Sequence, residues 1–380
     1  MGGRAFFIPA LAGIAFWFAA AAGAEPLRPT ADSWPVFRGD GGLTGVSPVS
    51  LPPKLTLRWT FKTAAAIRSS AVIGGGRVFI GSSDGTLYAL ALSSGEKLWG
   101  YAAGSPVEAP PLLDGAALYA GTAAGELLRL DAANGKRRWK LKTEGRIIGS
   151  ANLQRRGSRP GIVLVGSYDG SLYAADAASG RQLWSYKTGN FINGAPAVIG
   201  NLAVFGGCDA KVHAVSILDG SEAAGIETGS YIPGSAAAAR GLAFVGNFDD
   251  RVVCVDLAAG SIRWTYRSEV RRGGFFSSPA VGADAVVIGG RDGRVHCLNA
   301  SDGTLRWAYD AGAEVDSSPV IAGDAVLFGT GDGRLVMLAL DSGRERWSYE
   351  IGESVGSSPA VASGMVVVGC DDGAVYAFGR

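Results

Sequence analysis

Glu108, Asn193 and Asp316 stand at equivalent places of a repeating pattern and carry oxygen donors of the kind a calcium ion takes. Calcium needs roughly six to eight such oxygens, so three scattered donors make a polar site and not a calcium motif. Their column of the pattern reads Arg68, Glu108, Gly149, Asn193, Pro233, Phe276, Asp316 and Gly356, changing at each copy while its surroundings hold. A ligand-specific site is written in such a column; a solvated funnel without a ligand is the alternative. A neighbouring column holds Phe191, Tyr231, Phe275 and Glu314. Arg271 and Arg272 lie in an insertion on the same side, and with Arg68 they make that region locally positive.

Other chemistries lack their residues. The only histidines, His213 and His296, occupy the place that Tyr88, Tyr173 and Tyr376 fill in other copies, which reads as packing and not as zinc binding. No Gly-x-Ser-x-Gly elbow and no glycine-rich phosphate loop with its lysine is present. No catalytic residue and no metal ligand is assigned.

The elements that position these columns follow from tryptophan spacing. Trp59, Trp99, Trp139, Trp184, Trp264, Trp307 and Trp347 are separated by 40, 40, 45, 80, 43 and 40 residues, and the double gap holds a copy with Ala224 in the tryptophan's place. A period of about 40–45 residues with short apolar strands is that of a β-propeller, one four-stranded blade per copy. Turns at Asp84-Gly85, Asp169-Gly170, Asp292-Gly293 and Asp332-Gly333 mark hairpins, for which the type I′ form with two positive φ angles is expected. Ala124-Gly125, Asp209-Ala210 and Asp249-Asp250 are degenerate copies.

With Asp372-Gly373 these make eight turns and so eight copies, yet the last ends at Arg380 without a tryptophan strand. Leu57-Arg58-Trp59-Thr60-Phe61 matches Leu305-Arg306-Trp307-Ala308-Tyr309, so this early segment is expected to complete the eighth blade and leave no free edge. The expected architecture is all-β: an eight-bladed propeller over residues 57–380, preceded by an irregular strap over residues 25–56.

Residues 1–24 read as a signal peptide: Arg4, an apolar run from Ala5 to Ala22, then Ala22-Gly23-Ala24 as the cleavage site. A retained membrane anchor is the rival, because the run approaches spanning length. The expected location is periplasmic or secreted. No later run is long enough to cross a bilayer, and the formal charge of +1 gives no reason to expect nucleic acid as partner. Cys208 and Cys370 fall on opposite sides of the ring, while Cys254 and Cys297 sit at one position of adjacent blades, too far apart for bridging. Four free thiols and a monomer are expected.

The element Ala174-x-Asp176-x-x-Ser179-Gly180-x-x-x-Trp184, with partial copies beginning at Ala89, Arg129, Cys254, Cys297 and Met337, resembles the pyrroloquinoline-quinone (PQQ)-like repeat family. The segment Trp34-Pro-Val-Phe-Arg38-Gly is similar to the lead-in of many members. The resemblance implies an eight-bladed propeller with tryptophan docking. It leaves two functions open. One branch comprises quinoprotein dehydrogenases that hold PQQ and calcium at the ring axis and oxidise alcohols or sugars. The other comprises non-catalytic propellers that bind polypeptides, including the lipoprotein of the outer-membrane β-barrel assembly machinery. This chain has neither a vicinal Cys-Cys pair nor a Cys-x-x-Cys-His haem site, and the lipid-bearing cysteine is also absent. The reading favoured here is a scaffold without cofactor that binds a protein or envelope component through Arg68, Glu108, Asn193, Phe276, Asp316, Arg271 and Arg272. The alternative is a PQQ- and calcium-dependent dehydrogenase.

Overall fold

Each copy of the repeat folds into an antiparallel sheet of four strands in chain order, and the first runs Val72–Gly74, Arg77–Gly81, Thr86–Ala91 and Lys97–Ala102. The computed structural model describes residues 27–270 and 273–380. The expected signal peptide, and Arg271 and Arg272, therefore lie outside the described residues. The second and third strands hold most of the buried strand residues of each blade, as in Ala325–Gly329 and Arg334–Ala339, because sheets stack on both of their faces. The fourth strand faces solvent and alternates, as in Glu345–Glu350.

The eighth blade takes Ala360–Ala362, Met365–Gly369 and Ala374–Gly379 from the end of the chain and Thr56–Lys62 from its beginning. Trp59 pairs with Ala377 and Lys62 with Ala374 in antiparallel register. The ring therefore closes as the sequence implies, by hydrogen bonds between distant parts of the chain.

Two side-chain contacts recur at the blade boundaries. The second strand ends on a glycine, at Gly81, Gly121, Gly166, Gly206, Gly246, Gly289, Gly329 and Gly369. A Cβ there would strike the apolar residue that leads into the next blade, for example Cγ1 of Val107 at 2.6 Å from Gly81 and Cβ of Ile67 at 2.8 Å from Gly369. Farther out, six of the seven repeat tryptophans, all but Trp347, lie on a glycine of the next blade and donate the indole N–H to a carbonyl three residues earlier. Trp59 covers Gly95 and bonds Leu92 O at 2.8 Å; Trp307 covers Gly343 and bonds Leu340 O at 2.9 Å. A register shift in the fourth strand, just before the tryptophan, turns the ring toward its neighbour.

The Asp-Gly turns differ from expectation. Gly85 has φ of 85°, but Asp84 is not in the positive-φ region, so the turn is not type I′. Its carboxylate explains this: Oδ1 accepts the N–H of Thr86 at 2.8 Å and Oδ2 accepts the hydroxyl of Tyr88 at 2.7 Å. Gly85 N–H donates to Ser82 O, giving a tight turn followed by one left-handed residue, the three-residue hairpin loop with a bulge. Ala210 (φ 69°) and Asp250 (φ 56°) hold the left-handed place in the degenerate copies. In blades 4 and 6 the third-strand tyrosine is replaced by His213 and His296, whose Nε2 atoms reach Asp209 and Asp292 at 3.1 and 2.9 Å. Both histidines are buried and take the tyrosine's structural place.

The strap crosses the face opposite these turns and touches the first strand of every blade. Its carbonyls accept backbone N–H groups from Leu113, Val198, Ala238, Val281 and Ile321, while Trp34 pairs with Ile73 and Val46–Ser47 adds a parallel strand to blade 7. Asn152 Nδ2 donates to Gly41 O, and Ser363 N–H to Ala31 O, which completes the circuit. Arg38 turns inward from the strap, fully buried, and donates to the carbonyls of Ser318 (2.9 Å), Pro279 (3.2 Å) and Pro319. Burial lowers its pKa to about 9, an effect the nearby Asp40 carboxylate opposes. All four cysteines are free, and burial pushes the thiols of Cys254, Cys297 and Cys370 up to about 12.

Candidate binding site at the channel mouth

The segment leading into each first strand runs along the axis, so the variable column lines the channel. Arg68, Glu108, Asn193, Pro233, Phe276, Asp316 and Gly356 all border one central cavity of about 190 Å³. In blade 3 the equivalent residue is Ile148, one place before Gly149, because Ile147 is the residue that packs on Gly121. By the same register Phe275 does not face the mouth. It packs on Gly246 and His296, buried to 1 % exposure.

Beneath the column the cavity wall is a hoop of serines. Backbone N–H groups of Ala195, Ser235, Ser278, Ser318 and Ser358 donate to the hydroxyls of Ser235, Ser278, Ser318, Ser358 and Ser70, each on the next blade, at 2.8–3.0 Å. Pro110 and Ala195 interrupt it, neither having a hydroxyl to accept the next bond, so the hoop runs from Ala195 round to Ser70. The strap's Phe37 forms the floor. Strap and hoop together make the channel blind at one end.

The open end is divided by chemistry. From blade 3 to blade 6 it is aromatic: Tyr168 stacks on Phe191 (centroids 5.1 Å, planes 7° apart) and Tyr231 on Phe248 (4.6 Å), with Phe276 edge-on to Phe248 at 6.1 Å. Phe191, Tyr231 and Phe248 are 49 %, 40 % and 40 % exposed, large apolar rings left in solvent side by side. Arginines cap the ends of this arc, Arg146 at 4.8 Å from the Tyr168 ring and Arg291 at 3.5 Å from that of Phe276.

The remaining arc is charged and internally paired. Arg68 lies between Glu108 (3.6 Å) and Asp371 (3.7 Å). Arg291 binds Asp316 through Nη2 (2.7 Å) and Nε (3.0 Å), with Glu314 at 3.8 Å. The hydrogen bonds that Arg291 donates to Asp316 raise its pKa further, so this guanidinium stays charged throughout the accessible range. A side lobe of about 530 Å³ opens between blades 7 and 8, lined by Arg68, Arg291, Glu314, Asp316 and Asp371. Asn193 Oδ1 is buried at the hub and accepts no bond from the protein.

Sequence reasoning named Arg68, Glu108, Asn193, Phe276 and Asp316, and the fold brings these five to one cavity. It missed Tyr168, Phe248, Arg146 and Arg291. Tyr168, Phe248 and Arg291 sit in the Asp-Gly turns, one residue before the aspartate, so only an alignment of the turns themselves points to them.

These residues do not fit a quinone with calcium. The acidic side chains that would have to bind calcium are already engaged by arginines. Asp316 is held by Arg291, and Glu108 lies against Arg68 and accepts the Ser83 hydroxyl. Among the described residues no group of three or more His, Cys, Asp or Glu side chains is placed to hold a metal ion.

Fold and mouth define a class: an eight-bladed propeller with docked tryptophans, one end of its axis stopped by the strap and the other open. The chain belongs to the PQQ-like repeat family described as outer membrane protein assembly factor BamB, whose profile matches residues 55–158, 143–223 and 209–380. Among solved structures it is similar to BamB from Moraxella catarrhalis, at 19 % identity and TM-score 0.72 over 86 % of this chain and 98 % of that one. The computationally designed Ika8 protein matches at 19 % and 0.72, covering 88 % and 99 %. Quinohemoprotein alcohol dehydrogenase from Comamonas testosteroni matches at 15 % and 0.74, covering 92 % and 80 %. At these identities the structural matches speak to the fold. No curated protein matches the chain. No helix long and apolar enough to cross a membrane occurs among the described residues.

Proposed function

We propose that this protein is an exported, non-catalytic propeller that binds a polypeptide of the cell envelope across its channel mouth, in the assembly of outer-membrane proteins. The observation that carries this reading is the aromatic arc of Phe191, Tyr231 and Phe248, exposed beside a ring of arginine–carboxylate pairs. Tyrosine, phenylalanine and arginine are the residues that protein interfaces enrich, and rigid aromatic rings give contact area at little entropic cost. The paired charges suit a partner's polar rim. The family's own description supports the setting, and the signal peptide read from the sequence supports export.

The test replaces Phe191, Tyr231 and Phe248 together by serine and compares capture from envelope extracts with that by the wild type. A specific protein is expected on the wild type and at least tenfold less of it on the variant, with circular dichroism unchanged. Equal capture contradicts the reading. Stoichiometric uptake of PQQ with calcium, seen as its absorbance together with dye-linked alcohol oxidation, would replace it by the dehydrogenase reading.

A further inference from the structure

Six docking glycines, at positions 95, 135, 180, 220, 303 and 343, lie against an indole, with the position of a Cβ falling 2.5–2.8 Å from the ring. The seventh, Gly260 of blade 5, has the same left-handed backbone (φ 63°) and nothing within 4 Å. It is exposed, whereas five of the six are buried and Gly220 is half-buried. The ring that belongs there comes from blade 4, where Ala224 stands.

The surrounding backbone keeps the geometry of a filled site. Blade 4 retains the register shift that aims a tryptophan: Ala224 pairs with Ala214 and Glu222 with Val215, as Trp184 and Gln182 pair with Ala174 and Ala175 in blade 3. On the other side, Leu257 occupies the place of Leu92, Ala132, Ala177, Ile217, Ala300 and Leu340, whose carbonyls accept the six indole N–H groups at 2.8–3.2 Å. The side chain of alanine has no N–H to offer Leu257 O. A cradle, a carbonyl and an aiming bulge are in place without the ring.

We propose that this notch between blades 4 and 5 is a binding site for an indole, supplied by a tryptophan of a partner polypeptide. The six filled copies fix the ligand's chemistry: a flat ring on glycine with one N–H directed at a carbonyl. A site built like its six filled copies but lacking the ring takes up that group from outside, as apolar cavities take up small aromatic molecules. The polypeptide source follows from what lies beside the notch. Leu257 N–H donates to Gly241 O, which ends the turn after Ala237–Ala239, and Ala238 and Ala239 line a cavity of about 450 Å³ with Leu27, Pro29, Val46 and Val198. First and fourth strands of a blade are about 14 Å apart, at roughly 4.8 Å per strand. An extended segment spans that in about four to five residues. A peptide with tryptophan in the notch therefore reaches the cavity with an apolar side chain. This site lies on the strap face, away from the mouth, and does not rest on the function proposed for it.

The experiment titrates the full protein with the peptide acetyl-Leu-Ala-Ala-Ala-Ala-Trp-amide carrying 5-fluorotryptophan, read by fluorine NMR. The controls are the same peptide with alanine for tryptophan, read by its displacement of the fluorinated peptide, and N-acetyl-5-fluorotryptophanamide alone. Saturable binding is expected from the first and binding at least tenfold weaker from both controls. Ala224→Trp should abolish the binding and raise the melting temperature by filling the notch. Gly260→Asn, whose side chain tolerates the left-handed backbone, should abolish the binding whatever becomes of Ala224→Trp. Unchanged affinity in either variant, or no saturable binding to the wild type, overturns the site. Equal affinity for the amide alone overturns the polypeptide source.

Discussion

The backbone N–H of Ser358 donates to the hydroxyl oxygen of Ser70 at 2.9 Å, joining the last blade to the first at the hub. This seam carries the serine hoop from the chain's end back to its beginning. Replacing Ser70 by alanine leaves a buried N–H without a partner, which costs about 1–3 kcal/mol. Urea denaturation of Ser70→Ala should show that loss, and Ser70→Thr should recover most of it.

Arg38 ties the strap to blades 6 and 7 through the carbonyls of Pro279, Ser318 and Pro319. Arg38→Met should lower stability by about 3 kcal/mol or more, since three buried acceptors lose a charged donor. Gly45→Ala should act on the same contact, because its Cβ would fall 2.0 Å from Arg38 Nη2 at φ of 68°. Both are measured by denaturant unfolding.

Trp264 is 9 % exposed, lies over Gly303 and bonds Ala300 O at 3.1 Å. Trp264→Ala should cost about 3–5 kcal/mol. Trp264→Phe should cost less while still losing the indole hydrogen bond. Chemical denaturation of the two variants separates ring burial from that bond.

The aspartates of the tyrosine-capped turns set an acid limit. Burial alone pushes Asp84, Asp169 and Asp372 upward, but bonds from Tyr88, Tyr173 and Tyr376 and from turn N–H groups and side chains hold all three below the ordinary 3.8. A carboxyl lowered in the folded state stabilises the protein above its unfolded pKa, and this contribution disappears as pH falls through the folded value. The contribution of these turns to the melting temperature should therefore be level above about pH 5 and decline below about pH 4. Asp372→Asn should lower stability at neutral pH and make the acid decline shallower; an unchanged slope contradicts the assignment.

The ring was legible because its signals are side chains at fixed spacing: the tryptophans counted the blades, and Trp59 foretold the closure. The strap's grip was not legible, since Gly41, Gly42, Thr44 and Gly45 bind the blades through carbonyls that any residue carries. The turn type was misjudged because the Asp84 carboxylate, by bonding Thr86 N–H, favours one positive φ where two were expected. At the mouth, composition told which column varied, but the pairing of Arg68 with two acids and the stacking of Tyr168 on Phe191 depend on blade curvature. Even Ala224, conspicuous as a missing tryptophan, became informative only beside the open Gly260.

The central claim, that the mouth is where a polypeptide binds, is tested most directly by photo-crosslinking in living cells. A photoreactive residue is placed at Phe191, Tyr231 or Phe248, and as a control at Leu98 on the outer rim, which is 45 % exposed. The account predicts that the three mouth positions yield one common protein adduct and that Leu98 yields none of it. Adducts of equal yield from Leu98, or none from the mouth, would contradict it.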